Sequence, residues 1–182
     1  MQIGARRTRL VVGSTWDGTP IGADERATLD LVWRDARLEV FVDAPHHGDP
    51  GPPGAPASCN GLWEYEVVEL FLLGADDRYL EIELSPRGHW LVLELAGARH
   101  VVRSGHALDF ECRVEASRWS GHARIPVDWL PPGLARANAY AIHGRGPARR
   151  HLAAFALGGE RPDFHRLADF RPLVWGPVVD PT

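Results

Sequence analysis

The sequence predicts an all-β protein, an antiparallel two-sheet sandwich of the jelly-roll or immunoglobulin-like kind. Three observations predict it. Short stretches of alternating apolar and polar residues recur along the chain. Nineteen glycines and fifteen prolines lie scattered between them and punctuate turns. No stretch carries a strong apolar period of a helix, which weighs against α/β folds. The 182 residues suit one domain, residues 1–182, long enough to bury a core without disulfides or metals.

The elements follow in order. Leu29–Trp33 and Arg37–Asp43 alternate, and the link between them is short enough for a hairpin. Residues 44–61 read APHHGDPGPPGAPASCNG, too rich in proline and glycine for a helix or an inner strand. Long loops in compact domains are often functional. Tyr65–Leu73, Arg78–Ser85 and His89–Leu95 form a three-strand meander with hairpin-length links. Ala107–Ala116, Trp119–Ile125, Ala137–His143 and His151–Leu157 read as further strands. The tail from Gly158 is loop-rich and ends in a short strand at Leu173–Trp175.

Composition excludes several classes. The net charge is −4 and the arginine blocks are short, which argues against a nucleic-acid partner. No apolar run approaches the ~20 residues of a membrane helix, and residues 1–7 lack the apolar region of a signal peptide. The expected location is the cytoplasm, with Cys59 and Cys112 reduced. There is no phosphate-binding glycine loop and no nucleophile elbow. His46, His47 and Asp49 could form a metal corner, as could His143, His151 and His165, but none has a metal-site spacing. No cofactor and no metal is expected.

Alternation also assigns side chains to faces. Glu69 interrupts an apolar row of Val67, Phe71 and Leu73, and the other row of its strand is apolar as well. A carboxylate there needs a partner: either a ligand or an arginine. Glu81 and Glu83 share one face, roughly 6–7 Å apart by strand rise. That separation suits a glycosidase pair, or simply a solvated outer face. Trp90 falls on the polar side of its strand and Trp63 follows the long loop. An aromatic ring beside carboxylates is the arrangement that holds a sugar: the ring packs on the C–H face and the carboxylates accept hydroxyl protons.

One run is familiar: Leu62-Trp63-Glu64-Tyr65-Glu66-Val67-Val68-Glu69-Leu70-Phe71-Leu72, then Tyr79-Leu80-Glu81-Ile82-Glu83-Leu84-Ser85-Pro86-Arg87-Gly88, and late Arg161-Pro162-Asp163-Phe164-His165. It resembles the DOMON-like group, in the part related to family 9 carbohydrate-binding modules. A still closer resemblance joins Val42-Asp43-Ala44-Pro45, Asp49-Pro50 and Ala141-Ile142-His143-Gly144 to these runs. It is to a small uncharacterised protein family of animals and bacteria, and it covers about Leu38 to Leu173. The resemblance implies a two-sheet sandwich. It implies that Trp63 matches the first of two ligand-stacking tryptophans, Glu69 a ligand-contacting carboxylate, and Glu81 and Glu83 two polar contacts. Phe164 and His165 occupy the neighbourhood of the second tryptophan. Some DOMON relatives bind haem through Met and His; here the only methionine is Met1.

The expected function is a non-catalytic domain that binds a sugar or sugar-like small molecule. The candidate ligand-binding residues are Trp63, Glu69, Glu81, Glu83, Trp90, Asn138, His143, Phe164 and His165. The alternatives are a protein-interaction module using the 44–61 loop or a sheet edge, and a hydrolase using Glu81 and Glu83 or the His46, His47, Asp49 corner.

Overall fold

Strand alternation accounts for most of the architecture. The computed structural model describes residues 6–178; the reading of residues 1–5, Met1 included, lies outside them. Fourteen strands occur among the described residues: β1 (Arg6–Val12), β2 (Ser14–Thr15), β3 (Ala27–Arg34), β4 (Arg37–Pro45), β5 (Val67–Leu73), β6 (Arg78–Leu84), β7 (Trp90–Ala96), β8 (Val101–Arg103), β9 (Asp109–Glu115), β10 (Arg118–Pro126), β11 (Arg136–His143), β12 (Arg150–Ala153), β13 (Arg171–Pro172) and β14 (Gly176–Pro177). They form two antiparallel sheets. One runs β14-β1-β3-β4-β10-β9; the other runs β2-β12-β11-β5-β6-β7-β8, with β13 also on β11.

The expected sandwich is present, with local differences that include the short added strands β2 and β8. β1 extends the first sheet, although its arginines hide a clean alternation of buried Thr8, Leu10 and Val12. β12 stops at Ala153 rather than Leu157, because Phe155 turns away to bond the Asn138 side chain. Residues 173–175 are not a strand; pairing occurs on either side of them, at β13 and β14.

The core between the sheets joins Leu29, Leu31, Leu38 and Val40 of the first to Leu70, Leu72, Leu80 and Ile82 of the second. A second apolar cluster lies on the opposite face of the second sheet. There Phe71, Tyr79, Leu91, Leu95 and Tyr140 pack under Leu157, Phe164 and Phe170 of the tail. The tail thus makes a third layer over half of that sheet. This is why β5 reads as an almost unbroken apolar run: every residue in it is buried. Sheets covered on both faces lose the apolar–polar alternation.

Candidate ligand-binding site

Register places the functional side chains. Glu69 of β5 stands opposite Glu83 of β6 and Tyr140 of β11; the next row is Asn138, Phe71, Glu81 and Leu93. Side chains of these rows point away from the inter-sheet core, toward the tail. The expectation of a solvated face for Glu81 and Glu83 is corrected by this packing. Glu69, Glu81 and Glu83 are 2%, 3% and 0% exposed.

Above these carboxyls lies a cavity of about 360 Å³. Its floor includes Glu69, Phe71 and Glu81. Trp63, 38% exposed, stands on its rim. Pro162, Phe164 and His165 of the tail, with Arg99 of the β7–β8 turn and Val101 of β8, complete its lining.

Each wall is held by identifiable bonds. Leu62 is buried and anchors the single helical turn that carries Trp63, entered through Gly61 at φ 78°. The Arg149 guanidinium donates to the carbonyls of Trp63 and Glu64. Phe164 stacks on Tyr140 with ring centroids 3.9 Å apart and planes 4° from parallel. The Tyr140 hydroxyl donates to the Phe164 carbonyl at 3.1 Å. Asp163 accepts from Arg99 at 2.7 Å and from the His165 backbone at 3.1 Å, tying the tail to the β7–β8 turn.

The electrostatics of the floor are unusual. Glu69 Oε1, Glu81 Oε2 and both oxygens of Glu83 are buried with no hydrogen-bond partner among the described residues. No arginine lies within salt-bridge distance of Glu69 among them, so the salt-bridge reading of Glu69 is replaced by one of an open acceptor. Burial, and then mutual repulsion, pushes the Glu69 and Glu83 carboxyls well above the usual carboxylate range. Burial raises Glu81 to about 7. Ionising such a cluster without a counter-charge costs several kcal/mol. Protons, or a ligand that supplies donors, must therefore satisfy it.

His165 stays neutral, since burial and the nearby Arg99 lower it to about 4. The Arg99 backbone N–H donates to the Tyr79 hydroxyl at 3.0 Å. That hydroxyl shares a hydrogen bond with His165 Nδ1 at 2.6 Å. His165 Nε2 faces Glu81 Oε2 at 3.9 Å. At that separation, with the ring neutral, the contact is not an ion pair.

The structure gathers Trp63, Glu69, Glu81, Phe164 and His165 around the cavity, with Glu83 directly behind its floor. It separates the other three candidates. Trp90 lies on the inter-sheet face with Ile82 and Leu84, and its indole donates to the His106 carbonyl at 3.0 Å. Asn138 shares the row of Phe71 but is fully buried, its amide bonded to the backbone of Ala139 and Phe155. His143 points to the other face of β11, stacks on His47 with centroids 3.5 Å apart and bonds Glu25 at 3.2 Å. Asp49 accepts from the Gly144 backbone. Among the described residues no group of three or more His, Cys, Asp or Glu is arranged to hold a metal ion. Residues that sequence reasoning missed include Arg99, Val101 and Ile142. Nothing in the local pattern of Arg99 and Val101 distinguishes them, whereas Ile142 and Pro162 lay in motifs already singled out.

No protein-family model matches the chain. The UPF0462 protein C4orf33 homologue of Mus musculus is 39% identical over 176 residues, covering 91% of this chain and 90% of its own length. The chain belongs to the UPF0462 family. Its human relative, UPF0462 protein C4orf33 of Homo sapiens, is 37% identical over 168 residues, covering 86% and 83%. Among solved structures, this UPF0462 chain is similar to a Bacteroides uniformis protein provisionally described as carbohydrate-binding. The TM-score is 0.69 at 16% identity, over 90% of this chain and 84% of that one. This likeness shows the sandwich fold. A weaker likeness is to a family 9 carbohydrate-binding module from Caldicellulosiruptor kristjanssonii in complex with cellotriose. It has a TM-score of 0.47 and 15% identity over 71% and 65% of the chains, and carries no argument. No helix among the described residues is long and apolar enough to cross a membrane.

Proposed function

We propose that the chain is a non-catalytic binding domain for a sugar or sugar-like small molecule, held in the cavity between Trp63 and the tail. The observation that carries this reading is one juxtaposition. A partly exposed indole borders a cavity whose floor holds buried carboxyl oxygens with no partner. A pyranose presents an apolar C–H face to an indole and a ring of hydroxyl donors to carboxyls. The cavity, of about 360 Å³, is of a size for one or two sugar rings. The fold shared with the Bacteroides uniformis protein agrees with this, by analogy of fold. Free thiols at Cys59 and Cys112 fit a cytoplasmic setting and hence a small soluble glycan.

The hydrolase reading has less support, because Glu83 does not line the cavity. The test is calorimetry against a panel of monosaccharides, disaccharides and sugar phosphates. Binding by the native protein, weakened about tenfold by Trp63→Ala as a lost stacking platform requires, is the expected result. A panel without any Trp63-dependent heat removes the sugar reading.

A further inference from the structure

The cavity floor offers carboxyl oxygens that no side chain of the protein satisfies. Glu69 and Glu81 form its floor and Glu83 lies behind them, all buried. Two cations approach the site, and both are engaged elsewhere. Arg99 bonds Asp163, and Arg149 bonds the carbonyls of Trp63 and Glu64. His165, which could otherwise contribute a charge, is kept neutral by burial and Arg99. Glu69 Oε1 and Glu81 Oε2, both more than nine-tenths buried, remain without donors in a cavity they line. Around them stand the aromatic side chains of Trp63, Phe71 and Phe164.

A neutral sugar hydroxyl offers a donor but no charge. A protonated amine offers three donors and a positive charge that offsets the carboxylates once their protons have left. Its attraction to buried carboxylates is charge-assisted, and nearby aromatic faces add a favourable cation–π contact.

We infer that the ligand of this cavity carries a protonated amine, as in an amino sugar, which docks its ammonium between Glu69 and Glu81 under Trp63 and Phe164. This rests on the sugar-binding reading above and names its ligand class. The carboxyls, held by protons in the empty site, release those protons to the solvent as the ammonium takes their place. The same pair would admit the ammonium of an amine that is not a sugar.

The test is calorimetry at neutral pH with three matched sets. The first is glucosamine, galactosamine and mannosamine. The second is their N-acetyl forms, which keep the ring and lose the charge, with the parent neutral hexoses. The third is cyclohexylamine, an ammonium on a ring without hydroxyls. At least one amino sugar is expected to bind about tenfold or more tightly than its N-acetyl and neutral counterparts, as a charge-assisted contact requires. Glu69→Gln is expected to erase that preference. Unfolding curves of the variant report its folding, and Glu81→Gln serves as a second variant.

Equal binding of amino and neutral sugars overturns the amine inference and leaves the sugar reading standing. Binding of cyclohexylamine as tight as that of any amino sugar keeps the amine site and overturns the sugar reading. Absence of binding in all three sets overturns both.

Discussion

Glu69 and Glu83 face each other across the β5–β6 pair, in register, at a depth where both are screened from solvent. Like charges opposite one another in a sheet repel, and burial compounds the penalty. The pair is tolerated because protons remain on it, and Glu81, diagonal to Glu69, joins the same cluster.

Stability therefore depends on pH. The folded state holds protons on Glu69, Glu81 and Glu83 that the unfolded chain releases near 4.5. Their contribution is complete below 4.5 and is lost as pH rises through the raised folded values, about 7 for Glu81. Charged and titratable neighbours face the cluster from every side: Tyr79, Arg99, Arg149, His165 and Cys59. Below neutrality the trend is opposed by His106, His122, His143, His151 and His165, all lowered by burial. Between pH 7 and 9 the histidines are neutral in both states, so this window reports the raised carboxyls together with the Cys112 thiol, which burial also raises. There the urea midpoint of the ligand-free protein is expected to fall. Glu83→Gln should flatten the slope and gain about 1–3 kcal/mol over the native protein at pH 9. A native midpoint that is level or rising across this window contradicts a protonated cluster.

Asn138 was selected from the sequence as a ligand contact, and its work is structural. Its amide donates to the Phe155 carbonyl at 3.0 Å and accepts from the Phe155 and Ala139 backbones at 3.1 and 2.9 Å. This latch turns the chain out of β12 toward the tail. Asn138→Ala leaves buried backbone groups unpaired and is expected to cost about 1–3 kcal/mol. That corresponds to roughly 2–4 °C in melting temperature per kcal/mol for a chain of this size. An unchanged melting temperature would show that the latch carries no stability.

The Pro/Gly-rich loop is pinned at its start by Glu66. That buried carboxylate accepts the backbone N–H groups of His47 and Asp49 at 2.8 and 3.1 Å. Glu66→Ala is expected to bring new cleavage sites between residues 46 and 58 in limited proteolysis. The loss of two charge-assisted bonds should lower stability by about 2–3 kcal/mol. Cleavage at the native rate would place the anchor elsewhere, for example at the Asp49 carboxylate bond to the Gly144 backbone.

The strands were readable in the sequence wherever one face meets the core and the other meets water. β3, β4, β9 and β10 are of that kind, and their alternation marks them. β7 is not. Leu91, Leu93 and Leu95 look like its core row, yet they lie beside Glu83, Glu81 and Tyr79 on the tail side. Trp90 and Val92 make the inter-sheet row instead. Both rows are apolar because both faces are covered, and local period cannot tell which cover is which. The burial of Glu81 and Glu83 was hidden for the same reason, since it comes from Phe164 and its neighbours some eighty residues later. Trp63, Glu69, Phe164 and His165 were legible through motifs rather than periodicity. Arg99 was not, because its place follows from a turn that only the folded β7–β8 pairing creates.

The cavity's walls come from Trp63 near one third of the chain, from Arg99 near its middle, and from Phe164 and His165 close to its end. During synthesis the β5–β7 meander emerges well before the tail that covers it. The nascent chain then exposes Phe71 and Tyr79 without their roof. Ligand cannot template that early stage. A cavity closed by the tail can take its ligand only once residues 162–165 are in place.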